Sequence, residues 1–218
     1  MPTTLPDVDP IALLPWASPF DGAEWTFEPK YDGFRALLYA TSAGCELRTR
    51  RAHRADRFAD LLGRVSQVLA GRQAVLDGEI VALDAKGKPV FRNLLKGLGY
   101  LAFAASDLLW LDGRDLRGLS LTERKRLLAD LLPTDTAPLY KVFTLAEHGR
   151  ALFETARKLN LEGVVAKRGA ETYGPEACWY MIRNPTYSQA GSETGTMERP
   201  RRRTRVPAAV PRPSKVAE

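Results

Sequence analysis

The sequence predicts an α+β domain rather than a regular alternation of strand and helix. Three observations carry that expectation. Short strand-like runs cluster between Trp25 and Arg50, separated by turn signals at Asp32-Gly33 and Ser42-Ala43-Gly44. Helical spacing comes in isolated blocks, the first at Asp56–Ala70, where Phe58, Leu61, Leu62, Val65, Val68 and Leu69 recur. Strand-like runs then return at Gly163–Lys167 and Trp179–Arg183. No internal repeat is present.

Each element follows in turn. The first twenty residues hold five prolines (Pro2, Pro6, Pro10, Pro15, Pro19) and read as an extended arm, 1–20. Trp25–Glu28, Phe34–Ala40 and Cys45–Arg50 are the first strands. Ala74–Leu83 reads as a strand interrupted by Asp77-Gly78, and Tyr100–Leu111 as a strand closed by Asp112-Gly113. Ser120-Leu-Thr-Glu123 is a capping box that opens a helix to about Leu132. Thr144-Leu-Ala-Glu147 has the same form and predicts a second helix to Leu159. Periodicity stops after Asn184-Pro185. The expected division is an arm, a folded domain at 21–186 and a basic, disordered tail at 187–218.

Composition narrows the function. A chain of 218 residues, 44% hydrophobic and 27% charged, has material for a real core. The longest apolar stretch, Leu101–Leu111, is broken by Asp107 and falls short of the ~20 residues of a membrane span. The N-terminus lacks a basic and apolar leader, so no secretory signal is read. Two cysteines, Cys45 and Cys178, make no disulfide framework and fit a reducing cytoplasm. His53 and His148 lack zinc-ligand spacing. The net charge is +6. Residues 186–218 hold seven Lys/Arg and three Glu, giving +4, against 25 basic and 23 acidic groups in the other 185. Such a tail suits nonspecific contact with phosphates or simple solubilisation.

The chemistry centres on Glu28-Pro-Lys-Tyr-Asp-Gly-Phe-Arg35. Lys30 stands at a strand-to-turn edge beside Asp32 and Arg35. Alone, it could be a nucleophile, a phosphate ligand or a surface charge. Four further segments follow in order: Leu76-Asp-Gly-Glu-Ile-Val81, Ser106-Asp-Leu-Leu-Trp-Leu-Asp-Gly113, Glu162-Gly-Val-Val-Ala-Lys167 and Trp179-Tyr-Met-Ile-Arg183. Together these five resemble the covalent nucleotidyltransferase superfamily. The closest resemblance is to the adenylation domain of ATP-dependent DNA ligases, especially the bacterial end-joining ligases, over about residues 20–186.

The resemblance implies an ATP-grasp-like nucleotidyltransferase domain of antiparallel sheets flanked by helices. It implies that Lys30 attacks the α-phosphate of ATP, expels pyrophosphate and carries AMP. Arg35 would touch the ribose or the acceptor end, Glu28 would lie at the adenine, and Arg50 would contact phosphate. Glu79 would bind ribose or metal, Glu162 the metal, and Arg183 a phosphate. The implied cofactors are ATP and Mg²⁺ or Mn²⁺. The implied partner is nicked or broken DNA, with a separate DNA-binding or end-joining protein as a second.

A free lysine is only about 0.04% neutral at pH 7, a cost of about 4.6 kcal/mol. A divalent ion, nearby cations and desolvation are expected to lower that pKa. Glycine-rich alternatives fail: Gly97-Leu-Gly-Tyr-Leu-Ala102 precedes a strand rather than a helix, and no P-loop pattern occurs.

Three departures from the family pattern stand out. Ser106 replaces an aromatic that stacks on adenine, Met181 and Arg183 replace a pair of lysines, and only 33 residues follow Pro185 where the family continues into an OB-fold domain. A free-standing adenylation domain is therefore expected. Taken singly, Glu79 reads as a solvated strand residue, Glu162 as a helix-end charge and Arg50 as an edge-strand guard. Two other functions remain open: a catalytically weakened, ligase-like nucleic-acid-binding module, and a ligase acting on RNA.

Overall fold

The computed structural model describes residues 5–49, 55–135 and 137–188. The strands β1 (Leu13–Trp16) and β2 (Gly22–Lys30) belong to one wall of a cleft, and β3 (Phe34–Thr41), β4 (Gly44–Arg48), β5 (Ala74–Leu83) and β6 (Tyr100–Leu111) to the other. They are followed by β7 (Arg114–Asp115), β8 (Leu139–Lys141), β9 (Leu145–Glu147), β10 (Gly163–Arg168) and β11 (Trp179–Arg183). Sheet one has the order β1-β11-β10-β2-β9. Sheet two runs β4-β3-β5-β6-β7, with β8 also on β6. The β1–β11 and β6–β8 pairs are parallel, and the other pairs are antiparallel.

Period-2 alternation sends each strand's side chains to two different cores. In sheet one, Trp25, Phe27, Val164, Ala166, Tyr180 and Ile182 pack under α4 (Gly149–Lys158). In sheet two, Leu38, Leu76, Ile80 and Phe103 pack under α1 (Ala59–Leu69) and its neighbours. Helix α1 buries Leu61, Val65 and Leu69 at intervals of four, as its apolar spacing predicts, and a 3-10 turn at Ala55–Phe58 leads into it. A third cluster, with Leu37, Tyr39, Val75, Leu109, Val165 and Trp179, joins the facing walls.

Several expectations need correction. The proline-rich arm supplies β1, which pairs with β11, and Ile11 is buried. Asp77-Gly78 does not end β5; the strand runs through it with a shift of register against β6. The box at Ser120 forms as predicted and opens α3 (Leu121–Leu131). The one at Thr144 does not, because Leu145–Glu147 pairs with β2 as β9. Helix α4 therefore starts at Gly149, where a Cβ would lie 2.3 Å from the Phe20 carbonyl. The short α2 (Phe91–Lys96) is too brief to leave a periodic signal. Arg50 and the tail beyond Ser188 lie outside the described residues.

Candidate active site

Register places the site. Gly163 pairs with Lys30 and with Arg183, and Val165 pairs with Glu28 and with Met181. Rows of one parity therefore face the cleft: Lys30, Gly163 and Arg183 in one, Glu28, Val165 and Met181 in the next. Trp179 and Lys167 continue this face. From sheet two, Arg35 pairs with Glu79, and Glu79 with Ala104. The resulting cleft is lined by Glu28, Lys30, Arg35, Glu79, Ser106 and Trp179 among others.

Lys30 ends β2, and the turn Tyr31–Gly33 carries the chain over to sheet two. Gly33 is required there, since a Cβ would lie 2.3 Å from the Ile80 carbonyl. The Lys30 Nζ donates to the Tyr31 carbonyl. It stands 3.1 Å from Glu162 Oε2 and 3.6 Å from Glu79 Oε1. Arg183 Nη1 approaches the other Glu162 oxygen at 3.8 Å. These four residues come together as the resemblance implies.

The electrostatics reverse one expectation. Burial alone pulls the Lys30 pKa down, but Glu79, Glu162 and Asp32 together lift it above the ordinary lysine range. The free site holds an ammonium, because its neighbours are carboxylates rather than cations. Burial pushes Glu79 up to about 7, with Lys30 opposing and Glu162 adding to the rise. Two carboxylates on one lysine form a donor set of oxygen only. That suits a hard divalent cation, which needs one or two carboxylates beside substrate phosphates. Among the described residues no group of three or more acidic, His or Cys ligands occurs.

Arg35 is fixed from behind. Its Nε and Nη2 donate to Asp77 Oδ1 and Oδ2 at 3.1 and 2.7 Å, and Nη1 donates to the Ile11 carbonyl. The Tyr173 hydroxyl donates to Asp77 Oδ2 at 2.7 Å. Burial would raise the Asp77 pKa, but Arg35 and Tyr173 hold it below the usual carboxylate value. The guanidinium also lies 5.2 Å from the centroid of Trp179.

Glu28 is buried at the rear wall. Its carboxylate meets Lys167 Nζ at 2.8 Å and Lys125 of α3. Burial opposes ionisation there, and the two lysines overcome it. Lys167 Nζ also sits 3.8 Å from the Trp179 ring. Ser106 is the extra residue where Asp77 pairs with Asp107 but Gly78 with Ala105. That bulge aims its side chain into the cleft, with Oγ donating to the Asp77 carbonyl at 3.3 Å.

Asp77, Lys125, Lys167 and Tyr173 were not singled out from the sequence. Asp77 carried a signal, one of two carboxylates, with Glu79, in the apolar run Ala74–Leu83. Lys125 carried none, because a lysine on an amphipathic helix reads as surface.

A family model described as ATP dependent DNA ligase domain matches residues 17–182. The chain belongs to this ligase-domain family. It is 36% identical over 155 residues to the multifunctional non-homologous end joining protein LigD of Mycobacterium bovis, covering 70% of this chain and 20% of that protein. Against LigD of Pseudomonas aeruginosa the identity is 37% over 159 residues, covering 69% and 19%. Solved ligase domains share the fold. A mycobacterial DNA ligase D complexed with ATP and MES superposes with a TM-score of 0.68 at 32% identity, over 79% of this chain and 59% of that one. The ligase domain of M. tuberculosis LigD gives 0.68 and 32% over 78% and 59%. The chain thus spans about a fifth of the curated relatives' length and about three-fifths of these solved domains. The α+β class with largely antiparallel sheets agrees with these ligase domains. No helix among the described residues is long and apolar enough to cross a membrane.

Proposed function

We propose that this ligase domain forms a lysyl-AMP adduct at Lys30 and passes the AMP to a 5′-phosphate at a DNA nick or break. One observation carries the reading: Lys30 faces two carboxylates, Glu79 and Glu162, within a cleft whose chain belongs to the ATP-dependent DNA ligase domains. In the step, the Lys30 ammonium first loses a proton to solvent to expose its lone pair. A bond then forms between Nζ and the α-phosphorus as the bond to pyrophosphate breaks, pyrophosphate leaves, and Nζ gives a second proton to solvent, leaving the phosphoramidate.

Glu79 and Glu162 are the residues that would hold Mg²⁺ or Mn²⁺, whose charge offsets that of the triphosphate. Arg183 contributes a phosphate contact at the cleft edge. Arg35, held by Asp77, presents a fixed guanidinium to the cleft that Lys30 lines. Glu28 fixes the rear wall. Arg50, outside the described residues, completes the set as a phosphate ligand.

The implied acceptor is broken or nicked DNA, and the basic tail adds nonspecific phosphate contacts. A separate end-joining protein is a fitting partner. The free Cys45 and Cys178 accord with a cytoplasmic location.

Ser106 and Met181 favour a second reading, a ligase-like binding module with little catalysis. One assay separates the two. ATP labelled at the α-phosphate is incubated with Mg²⁺ or Mn²⁺ and the wild-type chain or Lys30→Ala, and the denatured protein is examined for label. Label on wild type alone is expected. Label on both would remove Lys30 as nucleophile, and label on neither, in folded protein, would favour the binding module.

A further inference from the structure

The segment after the last strand reaches back to the turn that carries Lys30. Asn184 organises it: its N–H donates to the Glu162 carbonyl at 2.8 Å, and its Nδ2 to the Leu161 carbonyl at 2.9 Å. Its Oδ1 accepts from the Thr186 N–H and hydroxyl at 3.1 and 2.9 Å. The Tyr187 N–H donates to the Asn184 carbonyl at 3.2 Å, closing a turn. Tyr187 is thereby folded under the molecule. Its hydroxyl donates to Asp32 Oδ2 at 2.9 Å, across 155 residues of sequence. Both residues are buried.

Asp32 lies in the middle of the Tyr31–Gly33 turn, and the Lys30 Nζ is bonded to that turn's first carbonyl. Asn184 meanwhile grips the backbone of Glu162, the carboxylate nearest Lys30. One short segment therefore sets the nucleophile's turn and its partner against each other. It lies beyond residue 182, where the family match stops, and Tyr187 is outside the 21–186 boundary drawn from sequence.

We propose that Tyr187 is a positioning residue for Lys30, acting through Asp32. This rests on Lys30 being the nucleophile. Removing the hydroxyl leaves a buried carboxylate with one donor fewer and frees the turn to move. Misplacing a reacting group by a fraction of its bonding distance slows transfer without changing how ATP is bound.

The test uses the full chain with Tyr187→Phe, which deletes only the hydroxyl. Ser188→Ala is the control, since it removes only a surface contact with Asn160. The rate of lysyl-AMP formation is followed against ATP concentration, with melting temperature and amide hydrogen exchange at residues 30–34 alongside.

Tyr187→Phe is expected to lower the maximal rate about tenfold, the effect of roughly one hydrogen bond to a charged group. Half-saturating ATP stays put and melting temperature falls only by the few degrees that one lost hydrogen bond brings, while exchange rises in the turn. Ser188→Ala matches wild type throughout. An unchanged maximal rate or unchanged exchange would overturn the proposal. So would a concerted fall in rate, ATP affinity and melting temperature, which marks general support of the fold. If wild type itself forms no adduct, the proposed function fails, while exchange still reports whether Tyr187 pins the turn.

Discussion

Glu79→Gln should stabilise the free protein while disabling it. The wild-type carboxyl is largely withdrawn from solvent, its side chain 15% exposed, and its pKa rises from 4.5 to about 7 despite the attraction of Lys30. At about 1.4 kcal/mol per tenfold change in equilibrium constant, ionising it costs the folded state roughly 3 kcal/mol. The sign follows from proton counting. Between the unfolded and folded pKa values the folded chain binds more protons. Stability is therefore lost as pH rises through 4.5 to 7, and the full cost is present above that window. Glutamine keeps the shape and never ionises.

Urea unfolding in chelator-treated buffer checks this. The variant should exceed wild type by about 1 kcal/mol or less at pH 5 and by roughly 3 kcal/mol at pH 8. For a domain of this size the second figure corresponds to about 6–12 °C in melting temperature. Adduct formation with ATP should fall sharply in the same variant. A Glu79→Gln protein no more stable than wild type at pH 8, or a gain equal at both pH values, would refute the reasoning. It would mean that Lys30 fully compensates the buried charge.

Two further substitutions probe the walls of the cleft. Asp77→Ala leaves the Arg35 guanidinium without its bidentate partner and the Tyr173 hydroxyl without that acceptor. The expected loss is about 3–5 kcal/mol in denaturant unfolding, and a loss under about 1 kcal/mol would show that Arg35 readily finds another partner. Ser106→Phe restores an aromatic at the bulge facing the cleft. Base–aromatic stacking of ~1–3 kcal/mol should tighten ATP binding about 5- to 150-fold in calorimetry, and no gain would place the base elsewhere.

What the sequence revealed and what it concealed divide along physical lines. Lys30, Glu79, Glu162 and Arg183 were read from five segments in order rather than singly; three of them lie in strands, and Glu162 stands just ahead of β10. Gly33 marks the turn by its lack of a side chain, and the close approach to Ile80 is the reason. The partners of those residues were not legible. Tyr173, Lys125 and Tyr187 act across 96, 97 and 155 residues on Asp77, Glu28 and Asp32, and no local pattern encodes such contacts. The failure at Thr144 has the same origin. A sound capping box was overridden by pairing with β2, a tertiary gain outweighing a local preference. In the free site the Lys30 pKa is lifted rather than lowered, because Glu79, Glu162 and Asp32 outweigh burial, whereas Arg35 is paired with Asp77.

Ser106 and Met181, which depart from the family pattern, then take a specific meaning. Met181 lies in the row of Glu28 and Val165, and Ser106 on the facing bulge. Neither lies in the row of Lys30 and Gly163, where the bond to phosphorus would form; Arg183, the other replaced lysine, does lie there and keeps its positive charge. The rear wall also keeps Lys125 and Lys167 near the position where Met181 lacks a charge. Substitutions in the row of Met181 are expected to act on how ATP is held, and those in the row of Lys30 on how fast it reacts. An impaired enzyme built this way needs more ATP and still reaches a normal maximal rate, whereas a retired one stays unlabelled at any concentration. The dependence of adduct formation on ATP concentration therefore distinguishes weakened binding from lost chemistry.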